Sequence, residues 1–146
     1  KPATGIRYAG DDFPKMNYEV SLEARRTDGR DFFCGITFPV EDEFCSMIIG
    51  GWGGGVVGLS NIDNMAAVEN ESTGFLEVED DRWYQIRLRV TTEFIQAWID
   101  GKEFFSVPTG NHKFGIWWEQ EPVRPFGIAS WYTSTQLKNI RISAPD

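Results

Sequence analysis

Apolar and polar residues alternate with period two along much of this chain, and no long stretch repeats apolar residues at the i, i+3, i+4, i+7 spacing of an amphipathic helix. Tyr18, Val20, Leu22 and Ala24 alternate with Glu19, Ser21, Glu23 and Arg25, the pattern of a strand with one buried and one wet face. Over 84–90, Tyr84, Ile86, Leu88 and Val90 interleave with Gln85, Arg87 and Arg89, and a further strand is predicted over 94–99 after the polar Thr91-Thr92-Glu93 link. Asp100-Gly101 then predicts a type I′ hairpin with its return strand over 104–107, because both central positions of that turn take positive φ.

Strands over 32–38 and 45–52 flank Pro39-Val40-Glu41-Asp42-Glu43, a polar connector whose proline cannot donate to a central ladder, so a second hairpin is expected there. A strand over 56–60 follows the run Gly53-Gly54-Gly55, and 127–132 and 137–142 close the chain. The opening strand, 5–8, is expected to pair with 137–142 and bring the chain ends together. About ten short strands separated by turn signals predict an all-β, two-sheet antiparallel sandwich or jelly roll in one domain spanning 1–146, with almost no helix. The polar stretch 63–73 lacks alternation and reads as a long loop over one end, the kind of segment that often carries binding residues.

Of the 146 residues, 41% are apolar, enough for one packed domain and too few residues for two. A formal net charge of -8 and the lack of a local basic patch argue against a nucleic acid or an anionic membrane as partner. No run approaches the ~18 to 20 apolar residues of a membrane helix, so no membrane insertion is expected. The chain opens at Lys1 without a methionine, which suggests a trimmed product or a domain of a larger protein with flanking domains.

One histidine and two cysteines offer no recognisable triad or zinc site. Cys34 and Cys45 sit on the two arms of the 32–52 hairpin and are either a disulfide or two buried thiols, depending on register. Loop carboxylates could recruit calcium, with Asp63 beside Asn61 and Asn64 the best set, but none matches a metal-loop spacing and solvated turn charge is the preferred reading. No other cofactor is expected. A carboxylate pair could cleave glycosides, and Asp63, Glu71 and Glu119 are the candidates should the protein be an enzyme.

Six tryptophans stand out, because large aromatic faces stack on sugar rings while amides and carboxylates bond the hydroxyls. Trp83 is expected to cap the core and Trp98 to lie on an outer face; Trp117 and Trp118, if extended, point to opposite sides. Opposite the large apolar residues, 35–37, 46–50, 58–60 and 127–129 carry mostly Gly, Thr, Ser or Ala. That bare face reads either as a groove, with Trp52 and Trp131 at its ends, or as a seat for close packing of another segment, and the groove is preferred.

The runs Tyr18-Glu19-Val20-Ser21-Leu22-Glu23-Ala24-Arg25 and Phe33-Cys34-Gly35-Ile36-Thr37-Phe38 resemble the opening strands of bacterial concanavalin A-like domains, and more narrowly the 3-keto-disaccharide hydrolase-like family. The 83–90 run, Ala97-Trp98-Ile99-Asp100-Gly101 and the closing Leu137-Lys138-Asn139-Ile140-Arg141-Ile142 are similar to later strands of that group. The resemblance implies a jelly roll whose concave face binds carbohydrate, with relatives that are glycosidases, lectins or binding modules. The polar residues expected on that face are replaced here by Ser46-Met47-Ile48-Ile49-Gly50, which weakens the enzymatic implication. The expectation is therefore a non-catalytic module of an extracellular or periplasmic bacterial protein, with a polysaccharide or oligosaccharide as partner. Trp52 and Trp131 would stack on it, Asn61, Asp63 and Arg124 would form a polar rim, and Trp117 and Trp118 are the alternative site. A glycoside-cleaving enzyme and a protein-binding adhesion module of laminin G-like type are the rival readings.

Overall fold

The computed structural model describes residues 3–145 as two antiparallel sheets packed face to face. The six-stranded sheet runs β1 (Ala3–Arg7), β10 (Gly127–Trp131), β3 (Cys34–Val40), β4 (Glu43–Gly51), β5 (Val56–Ser60), β6 (Gly74–Phe75). The five-stranded sheet runs β11 (Thr133–Ser143), β2 (Tyr18–Gly29), β7 (Tyr84–Val90), β8 (Phe94–Ile99), β9 (Lys102–Pro108). A single 3₁₀ turn, Trp118–Val123, is the one helical element among the described residues. The period-two pattern sets which residues meet between the sheets: Val20, Leu22, Ile86, Leu88, Ile95 and Ile99 from one, and Ile36, Phe38, Met47, Ile49 and Leu59 from the other. The Asp100-Gly101 turn has positive φ at both residues, 52° and 80°, and joins β8 to β9.

Pro39 lies within β3, an inner strand, yet β10 pairs with β3 only as far as Thr37, so the proline has no neighbour on that side to which a donor would be needed. Its carbonyl accepts the buried Tyr18 hydroxyl at 2.5 Å.

The first and last strands do not pair with each other. β1 pairs with β10 and β11 with β2, so each is the edge of its own sheet, and they face one another across the open side of the sandwich, where Ile6, Ile128, Ile140 and Ile142 line a shared crevice. Alternation fixes which face of a strand is buried but not which edge it joins. Trp83 also differs from expectation: it lies outside the core, between the Arg25 guanidinium and the Lys138 ammonium, 5.1 and 4.1 Å from its ring centre.

The cysteine question is decided by register. Cys34 lies opposite Ile49 and Cys45 opposite Phe38, so the two stand four residues apart on the same buried face, about 13 Å at ~3.3 Å per residue. Both are free thiols, and burial pushes Cys34 up to about 12 and Cys45 higher still. A thiol reagent is expected to label neither in the native protein and both after denaturation, with no mass change on reduction.

The bare face of the six-stranded sheet is not an open groove. A Cβ on Gly35 would lie 2.8 Å from the Phe32 ring, one on Gly58 3.0 Å from the Ala67 carbonyl and Ser72 hydroxyl, and one on Gly127 2.6 Å from the Val123 side chain. The small residues are seats for three covering segments: the Phe32 turn, the 61–73 loop and the 3₁₀ turn. Asn70 ties the loop down, its amide donating to the Leu59 and Met65 carbonyls at 2.7 and 3.0 Å while its oxygen accepts from Ser72. Phe32, Ile48, Val56 and Ala67 thereby form a second, smaller core on the outside of this sheet, with Trp131 packed against it.

A basic face, absent from the sequence as a run, is assembled on the outside of the five-stranded sheet. Arg25, Arg87, Arg89, Lys138 and Arg141 occupy outward positions on β2, β7 and β11, which the sheet places side by side although more than 100 residues separate the first from the last.

Candidate functional site

Where the covering segments leave off, at the end of the six-stranded sheet, the chain forms an aromatic cleft of about 450 Å³. Its lining is Asp31, Phe32, Trp52, Trp117, Trp118, Glu119, Gln120 and Trp131. Trp52 sits in the turn after β4 with φ 49°, a left-handed conformation that lifts the indole off the sheet. Trp117 precedes the 3₁₀ turn and Trp118 opens it, so the pair does not straddle a strand and both rings line the cleft. Trp131 ends β10, its backbone N–H donating to the Phe32 carbonyl at 3.0 Å while its ring stacks near-parallel on Phe32, 18° between planes.

Trp52 and Trp117 meet edge to face at 5.5 Å. Trp118 is 76% exposed and Trp52 42% exposed, a large apolar area for residues not covered by the protein itself. The polar groups are few. Gln120 is buried, and its side-chain oxygen accepts the Thr37 hydroxyl at 3.4 Å, which anchors the 3₁₀ turn to the sheet. Asp31 accepts the Phe32 N–H at 2.7 Å, and its own N–H donates to the Thr133 hydroxyl. Glu119 is half-buried at the rim.

The structure separates the remaining sequence candidates from this cleft. Asn61 exchanges backbone bonds with Gly115, at 2.6 and 3.2 Å. Arg124 folds back onto the Glu121 carbonyl at 3.0 Å and faces the Phe44 ring. Asp63 and Glu71 flank His112, whose two ring nitrogens each lie 2.7 Å from a carboxylate oxygen. The Lys113 N–H and His112, in that order, hold the Asp63 carboxyl below its ordinary value, the opposite direction from a general acid. Of Asp63, Glu71 and Glu119, only Glu119 lines the cleft. Among the described residues no group of three His, Cys, Asp or Glu side chains is arranged to hold a metal ion, and no helix is long and apolar enough to cross a membrane.

Phe32, Asp31 and Gln120 escape a reading of the sequence. The available hint is Gly35 and Thr37, small residues on a strand otherwise rich in large ones, which require a cover from elsewhere.

Two antiparallel sheets in this order, with a ligand-sized cleft over the outer face of one, define a jelly-roll sandwich of the concanavalin A-like class. The sequence profile of the 3-keto-alpha-glucoside-1,2-lyase-like domain family matches residues 6–143, and the chain belongs to that family. A search of curated proteins by sequence finds no match. Among solved structures, the chain is similar to the carbohydrate binding module CBM66 from Bacillus subtilis, with TM-score 0.56 and 8% identity over 88% of this chain and 76% of that one. It is also similar to CG-16, a homodimeric agglutinin from chicken liver, with TM-score 0.57 and 10% identity over 97% of this chain and 99% of that one. A third is domain 4 of AbnA, an extracellular arabinanase from Geobacillus stearothermophilus in complex with arabinotriose, with TM-score 0.53 and 14% identity over 90% of this chain and 62% of that one. At such identities the likeness establishes the fold.

Proposed function

We propose that the protein binds a neutral glycan in the four-tryptophan cleft and does not cleave it. One observation carries this reading: Trp52, Trp117, Trp118 and Trp131, from three separate stretches of chain, converge on one cleft, with Trp118 largely and Trp52 partly uncovered. Indole faces pack against the C–H faces of sugar rings, and Asp31 and Glu119 offer polar partners for hydroxyls. Two carboxylates in the lining of a chain of net charge -8 oppose an anionic ligand, which favours a neutral one. The cleft is also wide enough, at about 450 Å³, for one or two sugar rings. That similar folds occur in a carbohydrate binding module and an agglutinin supports the reading.

Cleavage is disfavoured because two of the three carboxylates offered for it, Asp63 and Glu71, lie outside the lining. Asp31 is tied to its own turn, and Asp63 and Glu71 are engaged by His112 outside the lining. A place in a larger extracellular or periplasmic bacterial protein is part of the same proposal. Affinity electrophoresis against a panel of soluble polysaccharides, with pull-down on insoluble ones, tests it. Retardation by at least one neutral polysaccharide with no reducing ends released on long incubation is the expected result. Release of reducing sugar would replace this reading with an enzymatic one, and silence across the panel would favour a protein-binding module.

A further inference from the structure

The second large groove, about 460 Å³, lies on the outer face of the five-stranded sheet, away from the tryptophan cleft. Register builds it. Arg141 of β11 lies opposite Ser21 of β2, Ser21 opposite Arg87 of β7, and Arg87 opposite Trp98 of β8, so the four form one row across the sheet. Two arginines therefore flank a serine, their Cα atoms about 10 Å apart at ~4.8 Å per strand.

The two guanidiniums are prepared differently. The Arg87 guanidinium carbon lies over the Trp98 ring, 3.9 Å from its centre, a contact that limits its freedom. Glu19 is shared, paired with Arg89 at 3.0 Å and more loosely with Arg87 at 3.9 Å. Arg141 is exposed and has no acidic partner among the described residues. The other nearby acid, Glu23, accepts the Asn139 amide at 2.5 Å. Arg87 and Arg141 outnumber the one carboxylate of the groove's lining, Glu23, and so make a local site for an anion on a chain of net charge -8, with Glu103 beyond Trp98 at the far end of the row.

We propose that this groove binds a sugar bearing a carboxylate, a uronate residue of an acidic oligosaccharide, with the carboxylate between Arg87 and Arg141. The lining has the mixture such a ring needs: two cations for the acid group, and the Ser21 hydroxyl, the Gln85 amide and the bonded Glu23–Asn139 pair for the sugar hydroxyls. An acidic peptide docking as an added strand is disfavoured, since the floor is formed by β2 and β7, inner strands paired on both sides with no free edge. The inference stands apart from the neutral-glycan reading, because it concerns the other sheet.

Titration of the intact protein with trigalacturonate, followed by the Trp98 indole N–H resonance and by calorimetry, tests it, with a galactose trimer as neutral counterpart and hexaglutamate as acidic peptide. Trigalacturonate is expected to shift Trp98 and to bind more weakly as salt rises. Arg141→Gln should weaken it roughly tenfold or more, as for loss of a charge-assisted bond. Lys113→Gln, the same charge change on the loop beside His112, should leave it unchanged. Equal binding of the galactose trimer or of hexaglutamate, equal loss in the two variants, or no shift of Trp98 would each overturn the proposal.

Discussion

Replacing Leu88 by alanine is expected to lower the unfolding free energy by about 2 to 5 kcal/mol, the range for emptying a fully buried leucine site. Leu88 is fully buried at the centre of β7, in register with Val20 on one side and Ala97 on the other, and the inner face of the six-stranded sheet closes over it. Neighbouring strands are locked by their own ladders, so the site cannot collapse readily and most of the cavity should persist. The contrast within the same strand is the sharper test. Gln85 is exposed on the opposite face, and Gln85→Ala should change stability by less than about 0.5 kcal/mol. Chemical denaturation of both variants measures this, and similar losses at the two positions would mean that the inward and outward phases of β7 are misassigned.

Trp118→Ala is expected to weaken binding of a neutral glycan ten- to hundredfold, roughly 1 to 3 kcal/mol, with the melting temperature unchanged. The separation of binding from folding follows from exposure. Trp118 is 76% exposed, so its removal takes little from the core. Trp131→Ala makes a useful companion because it should do both things: its ring lies on Phe32 and the small outer core, so stability falls together with affinity. Calorimetric titration beside thermal melts distinguishes them. Unchanged affinity in both variants would remove the cleft from the binding account.

Much of the framework is legible in the chain because alternation reports burial directly. The inward faces of β2, β7 and β8 and the Asp100-Gly101 turn can be read residue by residue. Partnership is another matter. The pattern of 5–8 gives no sign that it joins β10 rather than β11, since both edges offer apolar neighbours. The same limit explains the small-residue face. Gly35, Gly58 and Gly127 announce missing side chains, but the groups that take their place, Phe32, Ala67 and Val123, reach them through turns and a loop that carry no periodic signal. The tryptophans are countable in the sequence, whereas their meeting depends on three turns: after β4, before the 3₁₀ turn and at the end of β10. The basic face is hidden for a similar reason, its residues alternating with apolar ones on strands distant in sequence.

The most direct test of the glycan-binding cleft uses the indole N–H resonances of the six tryptophans, followed during titration with the neutral polysaccharide that most retards the protein. Trp83 and Trp98 lie on the outer face of the other sheet and serve as internal references. Saturable shifts of Trp52, Trp117, Trp118 and Trp131, with Trp83 and Trp98 unmoved, are the predicted result; shifts confined to Trp83 and Trp98, or binding that moves none of the six, would contradict it.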